Sequence, residues 1–340
     1  MTCETDTKEL AENANRLSGS VVPKPSWLAK LAFMAAVCFC LTPYASPGIA
    51  LAVGLALALS LGSPYPQLIK KTSKPLLQVS VVLLGFGMNL HTLFAAARYG
   101  FLLALATIAL TFLLGAALRR LLSLNRSTST LVSAGTAICG GSAIAAVALA
   151  IGAVEAEISV AMGTVFLLNA VGLYLFPMLG HAIGLSQAQF GTWSGIAIHD
   201  VSSVVGAASA YGQEALQTAT VVKLSRTLWI IPVGLIAGLA QRRFDTTLSK
   251  NPGTRVSIPW FIGLFVLASV AGTFLPPVHE VAPLLQTAAK TGMTLTLLLI
   301  GTSLSRASLR AVGVRPIIQG LVLWVVISAV SLTALSWLGT

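Results

Sequence analysis

The chain has 340 residues, and its 21 Lys and Arg against 10 Asp and Glu give a formal net charge of +11. Hydrophobic residues make up 56% of the sequence and charged residues only 9%, with a mean hydropathy of +0.87. Soluble domains are about a quarter charged, so this composition excludes an ordinary soluble domain and indicates a membrane protein.

The first 26 residues are polar and mix both signs of charge. They lack the basic, apolar and cleavage regions that follow one another in a signal peptide, so we predict a cytoplasmic tail over residues 1–26. No later hydrophilic run is long enough for a second folded domain. Residues 27–339 are therefore predicted to form a single transmembrane domain.

Apolar stretches recur along nearly the whole chain after residue 26, and about 20 helical residues suffice to cross roughly 30 Å of hydrocarbon. Short connectors rich in Pro, Gly or charge separate them. This pattern predicts an all-α membrane protein of about 11 transmembrane helices. The predicted spans are 27–43, 46–62, 77–96, 99–118, 130–151, 157–180, 190–211, 216–240, 257–275, 284–304 and 317–338.

The basic residues indicate the orientation, because Lys and Arg accumulate in cytoplasmic loops. With eleven alternating spans, 17 basic residues fall on one side and only Arg98 on the other, while Lys223, Arg226 and Lys290 lie within spans. We predict a multi-pass protein of the plasma (cell inner) membrane with its N-terminus in the cytoplasm and its C-terminus outside. The net positive charge follows from this topology and does not indicate nucleic-acid binding.

The fifth predicted span contains TAICGGSA, with Gly140 and Gly141 adjacent at its centre. Each Gly costs about 1 kcal/mol in a helix interior, so the pair predicts an unwound helix. The amide groups of the half-helix that follows would then be available to an anion, together with Thr136, Cys139 and Ser142. Close helix packing through small residues is the alternative.

The seventh predicted span contains His199 and Asp200, followed by Ser202 and Ser203. A carboxylate at this depth is costly, and an imidazole titrates near neutrality. His199 and Asp200 are therefore predicted to couple transport to protons or ions, and the two serines are added to the predicted binding site.

The eighth predicted span contains Lys223 and Arg226, which lie three residues apart on one helix face. Each charge near the bilayer centre costs roughly 2.5 to 3.5 kcal/mol, so the pair predicts a site for an anion. If Gln213 is the apex of an antiparallel turn, Asp200 and Arg226 lie at matching depth. A purely structural ion pair between them stays open, with Lys223 as surplus charge.

Two of these segments resemble each other within the chain. Residues 134–146 and 194–206 align at an offset of 60 with four identities. Carriers with a site at mid-membrane often contain inverted repeats. Lying two predicted spans apart, however, these segments are expected to run parallel, so the similarity does not by itself establish an inverted repeat.

Four runs in fixed order, LLGFGMNL, TAICGGSAIAA, GIAIHDVSSVVGAA and VVKLSRTLWIIP, resemble the YeiH-like sulfate exporter family of bacterial inner-membrane proteins. The resemblance covers about residues 30 to 339. It implies a transporter related to the bile-acid and sodium-proton carrier superfamily, with inverted halves and broken helices that cross. It also implies sulfate or a related sulfur-containing anion as substrate. The implied functional positions are Gly140, Gly141, His199, Asp200, Lys223 and Arg226.

We therefore expect a secondary transporter, not an enzyme, that exports a small anion by alternating access around a basic site at mid-membrane. Arg226 is expected to pair with Asp200 until the anion replaces that carboxylate. The expected partners are the anion, a proton or sodium co-substrate and the lipid bilayer, with a homodimer left open and no cofactor or metal. The alternatives are a proton- or sodium-coupled antiporter that uses Asp200, and a membrane-embedded enzyme that uses His199 and Asp200.

Overall fold

The computed structural model describes residues 27–42, 44–88, 90–242, 260–303 and 312–338, and all regular secondary structure in these ranges is helical. The prediction of an all-α protein is thus confirmed for this part of the chain. The predicted tail over residues 1–26 and the basic connectors over 243–259 and 304–311 lie outside the described residues.

Fourteen helices occur in the described ranges. In chain order they are α1 (Trp27–Cys40), α2 (Pro47–Ser60), α3 (Pro66–Gly85), α4 (Leu90–Leu121), α5 (Arg126–Ala137), α6 (Gly141–Ile151), α7 (Glu155–Ile183), α8 (Gln187–Ala197), α9 (Val201–Tyr211), α10 (Gln213–Thr227), α11 (Ile230–Arg242), α12 (Trp260–Phe274), α13 (Pro276–Ser303) and α14 (Val314–Leu338).

Five segments of the described chain are long and apolar enough to cross a membrane, and five shorter apolar helices accompany them. Helices suit this environment because all their backbone hydrogen bonds are internal. The prediction of a multi-pass helical membrane protein is confirmed, whereas the count of eleven crossings is not. The long segments are Leu103–Leu121, Glu155–Ile183, Gln213–Ala240, Glu280–Ser303 and Val314–Ser336.

The segment predicted as the seventh span folds back on itself. The hydroxyl of Tyr211, at the end of α9, donates a hydrogen bond of 2.6 Å to the carbonyl oxygen of Leu185, which precedes α8. The Tyr211 ring stacks on Phe190 at a centroid distance of 3.8 Å. In a straight helix, residues 187 and 211 would lie about 36 Å apart. Helices α8 and α9 therefore form a hairpin with both outer ends at one face of the molecule.

The segment predicted as the fifth span is a hairpin as well. Arg126, at the start of α5, and Ile151, at the end of α6, line the same cavity. A Cβ placed on Gly135 would lie 3.0 Å from Cγ1 of Ile144, nine residues further along the chain. Such a contact requires that α6 returns beside α5, because a straight helix would separate these residues by about 13 Å.

These two reversals correct the predicted topology without disturbing the predicted orientation. No Lys or Arg lies between Arg126 and Lys223 in the sequence. The connectors that change sides therefore carry no charge that the positive-inside rule could use. Each hairpin returns the chain to the side from which it entered, so two hairpins remove two membrane crossings. Every basic connector therefore keeps its predicted side of the membrane. The cytoplasmic N-terminus and the external C-terminus remain predictions.

The two hairpins enter from opposite faces, because the 29-residue helix α7 connects the base of the first to the base of the second. Their tips meet: a Cβ placed on Gly140 would lie 3.3 Å from Cβ of Asp200. Residues 134–146 and 194–206 therefore run antiparallel, contrary to our expectation that they are parallel. When the residue numbers of α6 (Gly141–Ile151) are shifted by 60, they match the first and last residues of α9 (Val201–Tyr211). The internal sequence similarity therefore corresponds to an inverted pair of hairpins.

Helix α10 packs unusually close to α8. A Cβ on Gly191 would lie 2.8 Å from the carbonyl oxygen of Ala215, and one on Gly195 would lie 3.0 Å from that of Ala219. Two glycines four residues apart allow helix backbones in membranes to approach in this way. Since both contacts shift by the same four residues, α8 and α10 run parallel. This packing brings the end of α10 to the hairpin tips.

We predict that single cysteines at Ser123 and Glu155 label from the same side of the membrane. Cysteines at Ala182 and Glu214 should both label from the opposite side. All four side chains are exposed. The measurement is modification by a membrane-impermeant thiol reagent in oriented vesicles, with the native cysteines replaced.

The eleven-span topology provides the contrasting result for this experiment. It places residues 123 and 182 on one side and residues 155 and 214 on the other. Labelling of Ser123→Cys and Glu155→Cys from opposite sides would therefore contradict the hairpin arrangement, provided that each variant keeps the detergent elution profile of the parent protein.

Candidate functional site

The tip of the first hairpin requires a glycine. Helix α5 ends at Ala137 and α6 begins at Gly141, and Gly140 between them has a φ of 64°. Residues with a Cβ rarely adopt this left-handed conformation, and a Cβ here would also lie 3.4 Å from Cα of Asp200. The sequence prediction of a break at the paired glycines is in agreement with this geometry. No side chain caps the N-terminus of α6.

The tip of the second hairpin is capped by its own acidic residue. Helix α8 ends at Ala197, and Asp200 is the N-cap of α9 with an extended backbone. Its carboxylate accepts a hydrogen bond of 3.1 Å from the amide of Ser202 and another from the Ser202 hydroxyl. Asp200 takes the position that Gly140 has in the first hairpin. The two tips therefore differ by one negative charge.

Lys223 caps the C-terminal end of α8. Its Nζ donates a hydrogen bond of 2.7 Å to the carbonyl oxygen of Ile198, and its side chain is 0% exposed. A cation is favourable here because the last carbonyl groups of a helix carry partial negative charge. The lysine thus satisfies a carbonyl that the break in the helix would otherwise leave unpaired within the membrane.

Arg226 performs the same function for α5. One guanidinium nitrogen, Nη2, donates to the carbonyl oxygen of Ala137, and Nη1 donates to the hydroxyl of Thr107 at 2.9 Å. The side chain is 0% exposed, and its Nε has no hydrogen-bond partner. Both cations thus come from one helix, and they hold corresponding ends of the two hairpins.

The expected ion pair between Asp200 and Arg226 is not formed. Both residues do lie at the level of the tips, as the turn arithmetic predicts. The guanidinium, however, points to α4 and α5, while the carboxylate binds the first turn of its own helix. Neither Arg226 nor Lys223 has a carboxylate partner among the described residues.

The site retains a surplus of positive charge. Two helix C-termini contribute about −1 elementary charge in total, and two N-termini contribute about +1, so the backbone terms cancel. The side chains then give two positive charges from Lys223 and Arg226 against one negative charge from Asp200. With Lys223 and Arg226 protonated and Asp200 ionised, the crossing of the hairpins therefore carries a formal surplus of about one positive charge.

Asn169 on α7 is part of the site, although the sequence analysis did not single it out. Its Oδ1 accepts hydrogen bonds from the amides of His199 at 3.0 Å and Asp200 at 3.3 Å, so it holds the extended tip of the second hairpin. Its Nδ2 and both ring nitrogens of His199 are buried without a partner. A lone Asn in the apolar run FLLNAVG was the available signal. Thr107, the partner of Arg226, gave no signal.

The remaining predicted site residues also gather at the tips. Thr136, Cys139 and Ser203 are buried, and the Thr136 hydroxyl has no partner. Gly141 faces the ring of Phe166. Only Ser142 is exposed. The structure thus brings the predicted residues of the fifth, seventh and eighth spans to one place.

Two cavities flank the hairpins on opposite sides of the crossing. One of about 270 Å³ runs along α6 and includes Ser142 next to the first tip, together with Lys74 and Gln78 of α3. The other, of about 320 Å³, runs along α9 and includes Val205 and Ser209 among its lining residues. Ser202, the counterpart of Ser142, is 0% exposed.

The fold and the site define a multi-pass α-helical membrane protein with two opposed hairpins whose tips are held by buried cations. The family described as Conserved hypothetical protein 698 matches residues 26–320. The chain belongs to this family, and the predicted resemblance to the YeiH-like proteins is confirmed.

Similar proteins from several bacteria carry the name UPF0324 membrane protein. One from Bacteroides thetaiotaomicron is 48% identical over 287 residues, which cover 84% of each chain. One from Bdellovibrio bacteriovorus is 44% identical over 308 residues, which cover 91% of this chain and 94% of the relative. One from Porphyromonas gingivalis is 49% identical over 294 residues, which cover 86% of this chain and 87% of the relative. These names state a membrane protein and no substrate. No solved structure matches the chain.

We predict that Asp200→Ala does not rescue Arg226→Ala. The arginine variant should lose about 1 to 3 kcal/mol of unfolding free energy, because it leaves the Ala137 carbonyl unpaired. Asp200→Ala should lose about 1 kcal/mol through its lost N-cap. The measurement is a double-mutant cycle on detergent-solubilised protein, with an expected coupling energy below about 0.5 kcal/mol. A double variant more stable than Arg226→Ala would restore the ion-pair interpretation.

Asn169 allows a matched pair of substitutions. Asn169→Leu should lower the unfolding free energy by about 1 to 3 kcal/mol, because the amides of His199 and Asp200 lose their acceptor. Asn169→Asp keeps an acceptor oxygen at the same place and should lose clearly less. Thermal unfolding in detergent measures both variants. Equal losses would show that Asn169 does not hold the tip.

Proposed function

We propose that the protein is a secondary transporter of a small anion in the cell inner membrane. The observation that carries this proposal is the pair Lys223 and Arg226, both 0% exposed and without a carboxylate partner in the described chain. Uncompensated charge in a membrane interior is costly and marks substrate or ion pathways. A surplus of positive charge favours an anion over a cation.

In this conformation Nζ of Lys223 and both Nη atoms of Arg226 each donate one hydrogen bond to a protein oxygen, so the surplus charge acts on the anion mainly through its field. Buried donors without a partner are available close to these contacts. They include Nε of Arg226 and the hydroxyl of Thr136, which directly precedes the capped Ala137. The proposed roles of the cations are to hold the tips and to provide the charge that a bound anion neutralises.

Alternating access is the proposed mechanism, and the inverted pair of hairpins supports it. The cavity along α6 extends to Ser142 at the first tip, whereas Ser202 at the second tip is buried. A frame with inverted repeats can exchange the conformations of its two halves. In the exchanged state the cavity along α9 would extend to Ser202, and the cavity along α6 would close.

The membrane potential favours export of an anion. An inside-negative potential is worth about 2.3 kcal/mol per charge per 100 mV, so at about 100 mV a divalent anion gains roughly 4.6 kcal/mol on leaving the cell. Export therefore needs no coupled ion. We propose sulfate or a related sulfur-containing oxyanion as substrate, in line with the YeiH-like family.

Asp200 favours a second candidate, a proton- or sodium-coupled antiporter. Its carboxylate lies at the second tip and is partly exposed, so it can exchange a cation there. Catalysis is not part of either proposal. The ring of His199, which an embedded enzyme would use as acid or base, is only 1% exposed.

We predict that proteoliposomes containing the protein release labelled sulfate faster when the potential drives anions outward. Reversing the potential should slow the release. Lys223→Met should lower the flux by at least about tenfold, equivalent to about 1.4 kcal/mol. The exposed lysine of α1 gives the control, since Lys30→Met makes the same change in net charge away from the crossing.

Three outcomes separate the candidates in this experiment. Sulfate flux that does not respond to the sign of the potential would contradict uncoupled export. A cation flux that needs no anion and stops in Asp200→Asn would favour the antiporter. Normal sulfate flux in a folded Lys223→Met variant would contradict the proposed role of the buried cations.

A further inference from the structure

The cavity along α6 has features that the crossing itself does not explain. It has a volume of about 270 Å³ and lies between α3, α6, the junction of α10 with α11, and the start of α12. Lys74 and Gln78 of α3, Ser142 of α6 and Thr227 of α10 supply its polar atoms. Its other described lining residues are apolar: Ala145, Ala146, Leu149, Ile230, Trp260 and Phe261.

The cavity leads from one face of the molecule to the crossing of the hairpins. Along α6 it extends from Leu149, near the base of the hairpin, to Ser142 at the tip, a rise of about 10 Å. The connector at the base of this hairpin is flanked by Arg119 and Arg120 at the end of α4 and by Arg126 at the start of α5. That connector is cytoplasmic by the positive-inside rule, so the cavity opens toward the predicted cytoplasm.

The charged side chain that lines this cavity is positive. Lys74 is exposed and lines the cavity, and none of the described lining residues is acidic. A cation would meet no carboxylate ligand there. A positive charge beside apolar walls focuses its field into the cavity and raises the local concentration of anions. Oxygen atoms of a small oxyanion can accept from the Lys74 ammonium and the Gln78 amide. The Ser142 hydroxyl can join them by exchanging its long hydrogen bond of 3.4 Å to the carbonyl oxygen of Cys139.

We propose that this cavity is the cytoplasmic access site of the anion, with Lys74, Gln78 and Ser142 as its ligands. The inference rests on the proposed transport function, and it adds Lys74 and Gln78 to the Ser142 already predicted from the sequence. Lys74 attracts the anion, Gln78 binds it along the wall, and Ser142 passes it to the crossing. The volume suits a small inorganic oxyanion better than a bulky organic one.

Helix α3 offers a matched control for the role of Lys74. Lys71 precedes it by three residues and is exposed, but it is not among the lining residues of the cavity. Lys71→Gln and Lys74→Gln make the same change in net charge on the same helix. A difference between these variants therefore measures the position of the charge and not its amount.

The experiment uses Ser142→Cys as a reporter in full-length protein without Cys3, Cys38 and Cys40. Cys139 is also replaced, by Ala, because its Sγ lies 3.2 Å from Oγ of Ser142 and could form a disulfide with the reporter thiol. The cysteine-free parent measures the background. Inside-out vesicles are treated with an anionic or a cationic methanethiosulfonate, and each rate is divided by that for a free thiol. We expect the anionic reagent to react faster by about tenfold, and Lys74→Gln to lower this ratio by about fivefold. Lys71→Gln should change it by less than about twofold.

Binding of the anion is tested in the same vesicles. Sulfate should slow the modification of Ser142→Cys, and Gln78→Leu should raise the sulfate concentration needed for half protection by about fivefold, the loss expected for one hydrogen bond. The reagent ratio should change little in Gln78→Leu, because no charge is removed. If Ser142→Cys does not fold, Leu149→Cys is a second reporter in the same cavity.

Several results would overturn the inference. Equal effects of Lys71→Gln and Lys74→Gln would mean that only the general surface charge acts. No reaction at either reporter would mean that the cavity does not open to this side. A ratio that depends on Lys74, with no protection by sulfate and no sulfate flux, would support the access site and contradict sulfate as the substrate. Sulfate flux that persists unchanged in Lys74→Gln would contradict the access site alone.

Discussion

The structure depends on the contacts that Lys223 and Arg226 make with carbonyl groups at the ends of two broken helices. A break in a membrane helix leaves carbonyl oxygens that lipid cannot satisfy, so protein donors must replace the missing backbone partners. Helix α10 supplies both donors, one to Ile198 and one to Ala137. The two tips are therefore fixed to one helix, and this connection fixes the point at which the hairpins cross.

Close packing makes this arrangement geometrically available. Gly191 and Gly195 let α10 approach the backbone of α8, so that Lys223 reaches the end of that helix. Asn169 completes the support of the second tip from the opposite side by accepting two amide hydrogen bonds. The tips are thus supported by polar contacts, while the cavities beside them are lined by both polar and apolar residues. In the proposed transport function, this arrangement recognises the charge of the anion at the level of the tips.

The inverted pair of hairpins is symmetric in backbone and asymmetric in charge. Asp200 gives the second tip a negative charge of its own, whereas Gly140 must remain without a side chain because Asp200 lies against it. Ser142 is accordingly exposed to a cavity, and Ser202 is buried against the carboxylate. This difference explains why the two ends of the site are not equivalent in this conformation, and it agrees with the proposed access of the anion from the α6 side.

The sequence by itself determined the membrane class, the family, the break at Gly140 and Gly141 and the presence of Lys223 and Arg226 within an apolar run, because composition, paired glycines and charge are local features of the chain. Only the tertiary structure decided that the broken segments are hairpins, since no Lys or Arg between Arg126 and Lys223 marks the sides of their connectors. It also decided that Arg226 binds Ala137 and Thr107 instead of Asp200. Helix geometry predicts the depth of a side chain in the membrane, but it does not predict which neighbouring helix the side chain faces. The hydrogen-bond partner of a side chain depends on that neighbour.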